Sequence, residues 1–191
     1  MLSKLDLDYL RSVQNLSLKH LGLTKSNPSV ACLIVDFTKD SKGKVISFGL
    51  TNIDGTIIIP SSSIVDCNGD FDATGGQIDF TGSGTLELSG TVTSLGTLDD
   101  ATGTVKYDGG TQNVLADDYY NLIIDQTGNK TSLGNVNVAN DMTISNSATY
   151  LTGSNQTTVT GGSDIDGTLT MSTGKYDANG TFDATNGNVT F

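Results

Sequence analysis

Apolar positions change their spacing once along this chain. Tyr9, Leu10, Val13, Leu16 and Leu21 fall on one helical face, with Asp8 placed to cap the start and Gly22 to end it, so a helix is predicted over 8–21. Ser26-Asn27-Pro28 then makes a turn. A nearly unbroken apolar run at 29–37, a polar run at 39–44 and a second apolar run at 45–50 predict a strand, a hairpin loop and a strand. From Ile53 onward the period falls to two. Short alternating segments at 56–59, 77–80, 85–88, 104–107, 120–125, 135–138, 142–145, 157–160, 168–171 and 188–191 are mostly bounded by Gly, Asn, Asp or Ser, which predicts many strands punctuated by turns.

The second region also repeats itself. Asn68-Gly-Asp-Phe-Asp-Ala-Thr-Gly-Gly-Gln-Ile-Asp-Phe80 returns as Asn179-Gly-Thr-Phe-Asp-Ala-Thr-Asn-Gly-Asn-Val-Thr-Phe191, identical at eight of thirteen positions. Ile53-Asp-Gly-Thr56 likewise pairs with Ile165-Asp-Gly-Thr168, which gives a period of about 111 residues once one gap is placed at Pro60. Self-similarity at a fixed period points to stacked architecture, and coils of roughly 20 residues would put about five in each unit. The fold expected is mainly β: a parallel β-solenoid over 53–191, its thin interior lined with Val, Ile, Leu and Ala, preceded by a helix-strand-strand fragment at 1–52. An immunoglobulin-like sandwich array is the structural rival. The fragment is expected to cap the first coil, because an open solenoid end exposes strand edges and its apolar column. At the other end Val189-Thr-Phe191 reads as mid-strand, which predicts continuation in a longer parent or head-to-tail self-association.

Composition separates the same two regions. Residues 1–52 hold seven Lys or Arg against four Asp, whereas 53–191 hold Lys106, Lys130 and Lys175 against seventeen acids and carry 20 of the 23 Gly. With a net charge of −11 and no basic stripe interleaved with aromatics, nucleic acid is excluded as a partner. No apolar run approaches the roughly 20 residues of a spanning helix, so membrane insertion is not expected, and without a signal peptide the chain as written reads as cytoplasmic. Cys32 and Cys67 are too few for a disulfide framework, and with His20 as the one histidine they make no ordinary structural zinc site. The turns gather acids, and Asp70 with Asp72, Asp99 with Asp100, Asp117 with Asp118 and Asp164 with Asp166 are the calcium candidates, being hard oxygen ligands. Neither an EF-hand loop nor a Gly-Gly-x-Gly-x-Asp nonapeptide frames them. They are therefore read as solvated turns that keep a β-rich chain soluble, with no metal and no cofactor.

Two resemblances bear on function. Leu21-Gly-Leu-Thr-Lys-Ser-Asn-Pro-Ser-Val-Ala-Cys-Leu-Ile-Val35 followed by Gly43-Lys-Val-Ile-Ser-Phe-Gly-Leu-Thr51 resembles the opening of the riboflavin-biosynthesis deaminases of the cytidine-deaminase superfamily. That resemblance implies a base-pocket role for Asn27. Where the family continues Gly-Arg-Pro-His-Ala-Glu, this chain reads Gly55-Thr-Ile-Ile-Ile-Pro60, and no Pro-Cys-x-x-Cys follows. A zinc deaminase needs three protein ligands and a carboxylate beside the bound water, so the fragment is expected to be a relict without catalysis. The second likeness lies in Ala101-Thr-Gly-Thr-Val-Lys-Tyr-Asp-Gly-Gly-Thr-Gln-Asn-Val114, Tyr119-Tyr-Asn-Leu-Ile-Ile124 and Gly134-Asn-Val-Asn-Val-Ala-Asn-Asp-Met-Thr-Ile144. These runs resemble the repeats of very large secreted bacterial surface and adhesin-like proteins. The resemblance implies that the solenoid over 53–191 is a right-handed parallel β-solenoid, and it implies an extracellular structural or adhesive role, without enzymatic activity, and a surface glycan or protein as ligand. A polysaccharide-binding or polysaccharide-cleaving solenoid is the remaining alternative.

Overall fold

The computed structural model describes residues 55–191 throughout, the strand backbone at 31–36 and 44–50, and residues 10, 11, 13 and 14. Leu10, Arg11, Val13 and Gln14 are helical, within the expected 8–21 helix; the rest of that helix, His20 and Asn27 lie outside the described residues. β1 (Ala31–Asp36) pairs antiparallel with β2 (Lys44–Leu50), the order that the apolar, polar, apolar pattern predicts. The side chains by which this fragment would cover the first coil also lie outside the described residues.

From Thr56 on, every pairing is parallel and joins one coil to the next. Seven coils of three strands follow. The first is β3 (Thr56–Ile59), β4 (Ile64–Cys67) and β5 (Phe71–Asp72); the second β6 (Gln77–Phe80), β7 (Thr85–Leu88) and β8 (Val92–Ser94); the third β9 (Thr97–Asp99), β10 (Thr104–Tyr107) and β11 (Gln112–Val114). The fourth is β12 (Asp118–Tyr119), β13 (Asn121–Ile124) and β14 (Gly128–Ser132), and the fifth β15 (Val136–Val138), β16 (Met142–Ile144) and β17 (Ala148–Leu151). The sixth is β18 (Gln156–Val159), β19 (Ser163–Ile165) and β20 (Thr168–Thr170), and the seventh β21 (Lys175–Ala178), β22 (Phe182–Asp183) and β23 (Asn188–Thr190). Stacked partners are 17 to 22 residues apart, as Thr104↔Asn121 and Asp72↔Ser94 show. This is a parallel β-solenoid with a leading, a middle and a trailing face, and the sandwich alternative is excluded.

Alternation along each strand drives the stack, because every second side chain points inward and finds its counterpart one coil away. On the middle face Val65, Leu86, Val105, Leu122 and Met142 stand in one column, and Cys67, Leu88, Tyr107, Ile124, Ile144 and Ile165 in the other. The interior differs from the expected Val, Ile, Leu and Ala lining. Phe80, Tyr107, Tyr119 and Tyr150 are fully buried as well, Tyr107 within the column between Leu88 and Ile124, so large aromatic side chains share the close-packed interior with the aliphatic ones.

The seven coils are not uniformly joined. The middle face runs unbroken from β4 to β22, but the leading ladder stops between β9 and β12 and the trailing ladder between β8 and β11. Between β10 and β13 the step is the shortest, 17 residues, and both interruptions involve this third coil.

The sequence repeat does not match the coil. Segments 53–66 and 68–80 correspond to 165–177 and 179–191, so β3, β4, β5 and β6 are matched by β20, β21, β22 and β23, seventeen strands later. Seventeen is five coils and two strands over. Equivalent residues therefore lie on different faces, β5 on the trailing and β22 on the middle one. Local geometry is nevertheless preserved: Asp72 accepts hydrogen bonds from the Thr74 amide at 2.9 Å and hydroxyl at 2.6 Å, and Asp183 accepts from the Thr185 amide and hydroxyl at the same distances.

Candidate functional site

The structure separates the candidate acids into two kinds. Asp70, exposed, accepts from the Thr91 amide at 2.8 Å and ties the first coil to the second. The bonds from Thr74 hold the Asp72 carboxyl below its ordinary range. Asp166 accepts from the Asn186 side chain at 3.1 Å, while Asp164 stands exposed on the middle face. Asp72 thus closes a turn, and Asp70 and Asp166 link neighbouring coils.

Asp99, Asp100, Asp117 and Asp118 are the acids that the fold gathers. They lie where the leading ladder is interrupted, at the end of β9 and the start of β12. Burial above all, and then repulsion from Asp99 and Asp118, raises the Asp100 carboxyl above its usual range; Asp117 is raised by burial and by Asp118 and Asp100. A shallow groove of about 280 Å3 opens beside them, with Asp100, Asp118, Asn137 and Thr158 on its walls. Asn137 donates to Asp118 at 2.7 Å, and the Asp118 amide to the Asp117 carboxylate at 2.9 Å. Among the described residues no three His, Cys, Asp or Glu side chains are arranged to hold a metal ion.

Three polar features escaped the sequence reading. Gln112 points into the interior at the interruption of the trailing face, where its amide donates to the carbonyls of Leu88 and Gly90 at 2.8 Å each and accepts from the Gly109 amide at 2.7 Å. It thus ties the start of β11 to the turn that leads from β7 into β8, beside the place where no ladder joins β8 to β11. Beside it the Leu115 amide donates to the Tyr107 hydroxyl at 3.3 Å, and the Tyr119 hydroxyl donates to the Leu115 carbonyl at 2.9 Å. The two hydroxyls are 3.2 Å apart, and burial pushes Tyr107 up to about 12 and Tyr119 well above its ordinary value. Lys130 is the third feature. It is fully buried, in register between Gln112 and Tyr150, and its ammonium donates to the carbonyls of Gln126 at 2.8 Å and Thr127 at 3.4 Å. Alternation within Asn129-Lys-Thr131 was the available signal, since it assigns Lys130 to the inward set.

On the middle face Lys106 stands in the outward row between coils, 3.1 Å from Asp125, 3.4 Å from Glu87 and 3.7 Å from Asp108. Burial works against its charge, but the three carboxylates outweigh that and raise its pKa. Cys67 is a free, half-buried thiol at the end of its column. The side chain of Cys32 is outside the described residues. Among those residues no helix is long and apolar enough to cross a membrane.

No relative identifies the chain. No family model, no curated protein and no solved structure matches it.

Proposed function

We propose that residues 55–191 form a structural and adhesive repeat module of a surface or secreted protein, acting by display and not by catalysis. The observation that supports this best is the duplicated Phe-Asp-Ala-Thr turn. Its hydrogen bonds at Asp72 and Asp183 are the same in both copies although the copies occupy different faces. A catalytic site needs its groups converged at one place; a turn reproduced far along the stack and on another face supplies surface instead. Asp70, Asp72, Asp166 and Asp183 serve turns and contacts between coils, in keeping with that role.

The test is retention. Purified chain, coated on beads, is expected to hold to at least one of three substrates: matrix protein, bacterial cells or polysaccharide particles. Beads that hold to none, or zinc-dependent pyrimidine deamination by the purified chain, would overturn the reading.

A further inference from the structure

The trailing face is unlike the other two. Its strands β11, β14, β17, β20 and β23 contain one charged residue, Lys130, which points inward and is buried. Their outward positions form two straight rows. Asn129, Thr149, Thr168 and Asn188 stand in register in the first. The second, two residues further along each strand, includes Thr131, Leu151, Thr170 and Thr190. In the same coils the leading face carries Asp118 and Asp177 and the middle face Lys106, Asp164 and Asp183. A chain of net charge −11 thus keeps one face free of charge over five successive coils.

The spacing on that face is fixed by the ladder. Rungs lie about 4.8 Å apart and alternate residues along a strand about 6.7 Å apart, so hydroxyls, methyls and amides occupy a rectangular grid. The buried columns beneath hold this grid rigid, so little conformational entropy remains to be lost on binding.

We propose that the trailing face binds an uncharged, extended polysaccharide laid along the column, with successive sugars meeting successive coils. This rests on the adhesive reading and names its ligand class and site. Charge selects the partner. An ionic polymer would lose hydration against a face that offers it no counter-charge, and a polyanion would also meet the acids of the flanking faces. A neutral glycan strips no charge. Threonine hydroxyls and asparagine amides both donate and accept, which matches sugar hydroxyls of either polarity. The threonine methyls and Leu151 suit the C–H faces of the rings. Each rung contributes weakly, and several rungs engaged by one chain add through their fixed spacing.

The experiment mixes the full chain with particles of cellulose and of chitin, and with pectate as an anionic control, and measures depletion from solution. Binding is expected on at least one neutral polymer and not on pectate. Thr149→Glu and Thr170→Glu, on different strands and each checked for an unchanged circular-dichroism melt, should bind about tenfold more weakly. Thr143→Glu, on the middle face, should bind like the parent. Three outcomes would overturn the proposal: binding by the two trailing-face variants as tight as the parent's, retention on cells or matrix protein without any on neutral glycan, and adsorption to ice without adsorption to glycan. The second of these leaves the adhesive reading standing, whereas failure to hold to anything removes both.

Discussion

Single residues set where the chain turns and how closely coils approach. Gly96 has φ +68, and a Cβ added there would meet the backbone carbonyls of Gly76 and Ala73. Gly110 has no positive φ, and nothing lies within 4 Å of an added Cβ. Gly96→Ala is expected to cost about 1 to 3 kcal/mol of strain, and Gly110→Ala to leave stability unchanged or raise it by about 0.4 to 1 kcal/mol. Urea unfolding of the two variants reads out the difference. Asp117 gives a second contrast. Burial and its acid neighbours oppose its charge, while its one recorded acceptor bond is one that an asparagine oxygen also makes. Asp117→Asn should therefore stabilise, by about 0.2 to 1 kcal/mol, seen as a higher melting temperature at neutral pH. The sequence did show these acids as neighbours along the chain. It could not show that Asp100 would meet Asp117 and Asp118, because they belong to successive coils and only the stacking brings them together.

At the scale of elements, legibility followed strand length and apolar content. The expected segments 56–59, 77–80, 85–88 and 104–107 coincide with β3, β6, β7 and β10 to the residue, since each places two large apolar side chains at a spacing of two. β5, β12 and β22 have two residues each and β11 has three, one of its inward pair being Gln112; such segments carry too few apolar positions for alternation to register. They are strands because their neighbours one coil away are. The parallel fold was legible from period and turns, while the interruption of two of its three faces was not. Gln112→Ala should show what holds that interruption. It leaves the carbonyls of Leu88 and Gly90 without their side-chain partner, a loss of about 1 to 3 kcal/mol, and hydrogen exchange around β8 and β11 should accelerate before exchange in the middle sheet. Uniform acceleration across all seven coils would contradict this picture of the joint.

At the scale of the whole molecule, the buried tyrosines make stability a function of alkaline pH. Tyr107, Tyr150 and Tyr176 are raised by burial from 10.0 to about 12, and Tyr119 is raised as well. Between these values the unfolded chain releases protons that the folded chain retains, so stability is undiminished below pH 10 and falls as pH rises from 10 to about 12. The slope is about 1.4 kcal/mol per pH unit for each tyrosine. Tyrosinate absorbance should appear together with loss of the β signal in circular dichroism; tyrosinate formed in a folded solenoid would show these rings to be accessible. Distribution along the stack, from coil three to coil seven, makes the transition one of the entire column. The mismatch between repeat and coil works at this same scale. A unit of seventeen strands wound three to a turn is a vernier: each further copy is indexed round the axis by two faces of the three, and the fourth copy restores the first orientation. A tether wound from such units would carry its mark as the thread of a screw, so a surface would meet that mark whichever way the tether had rolled.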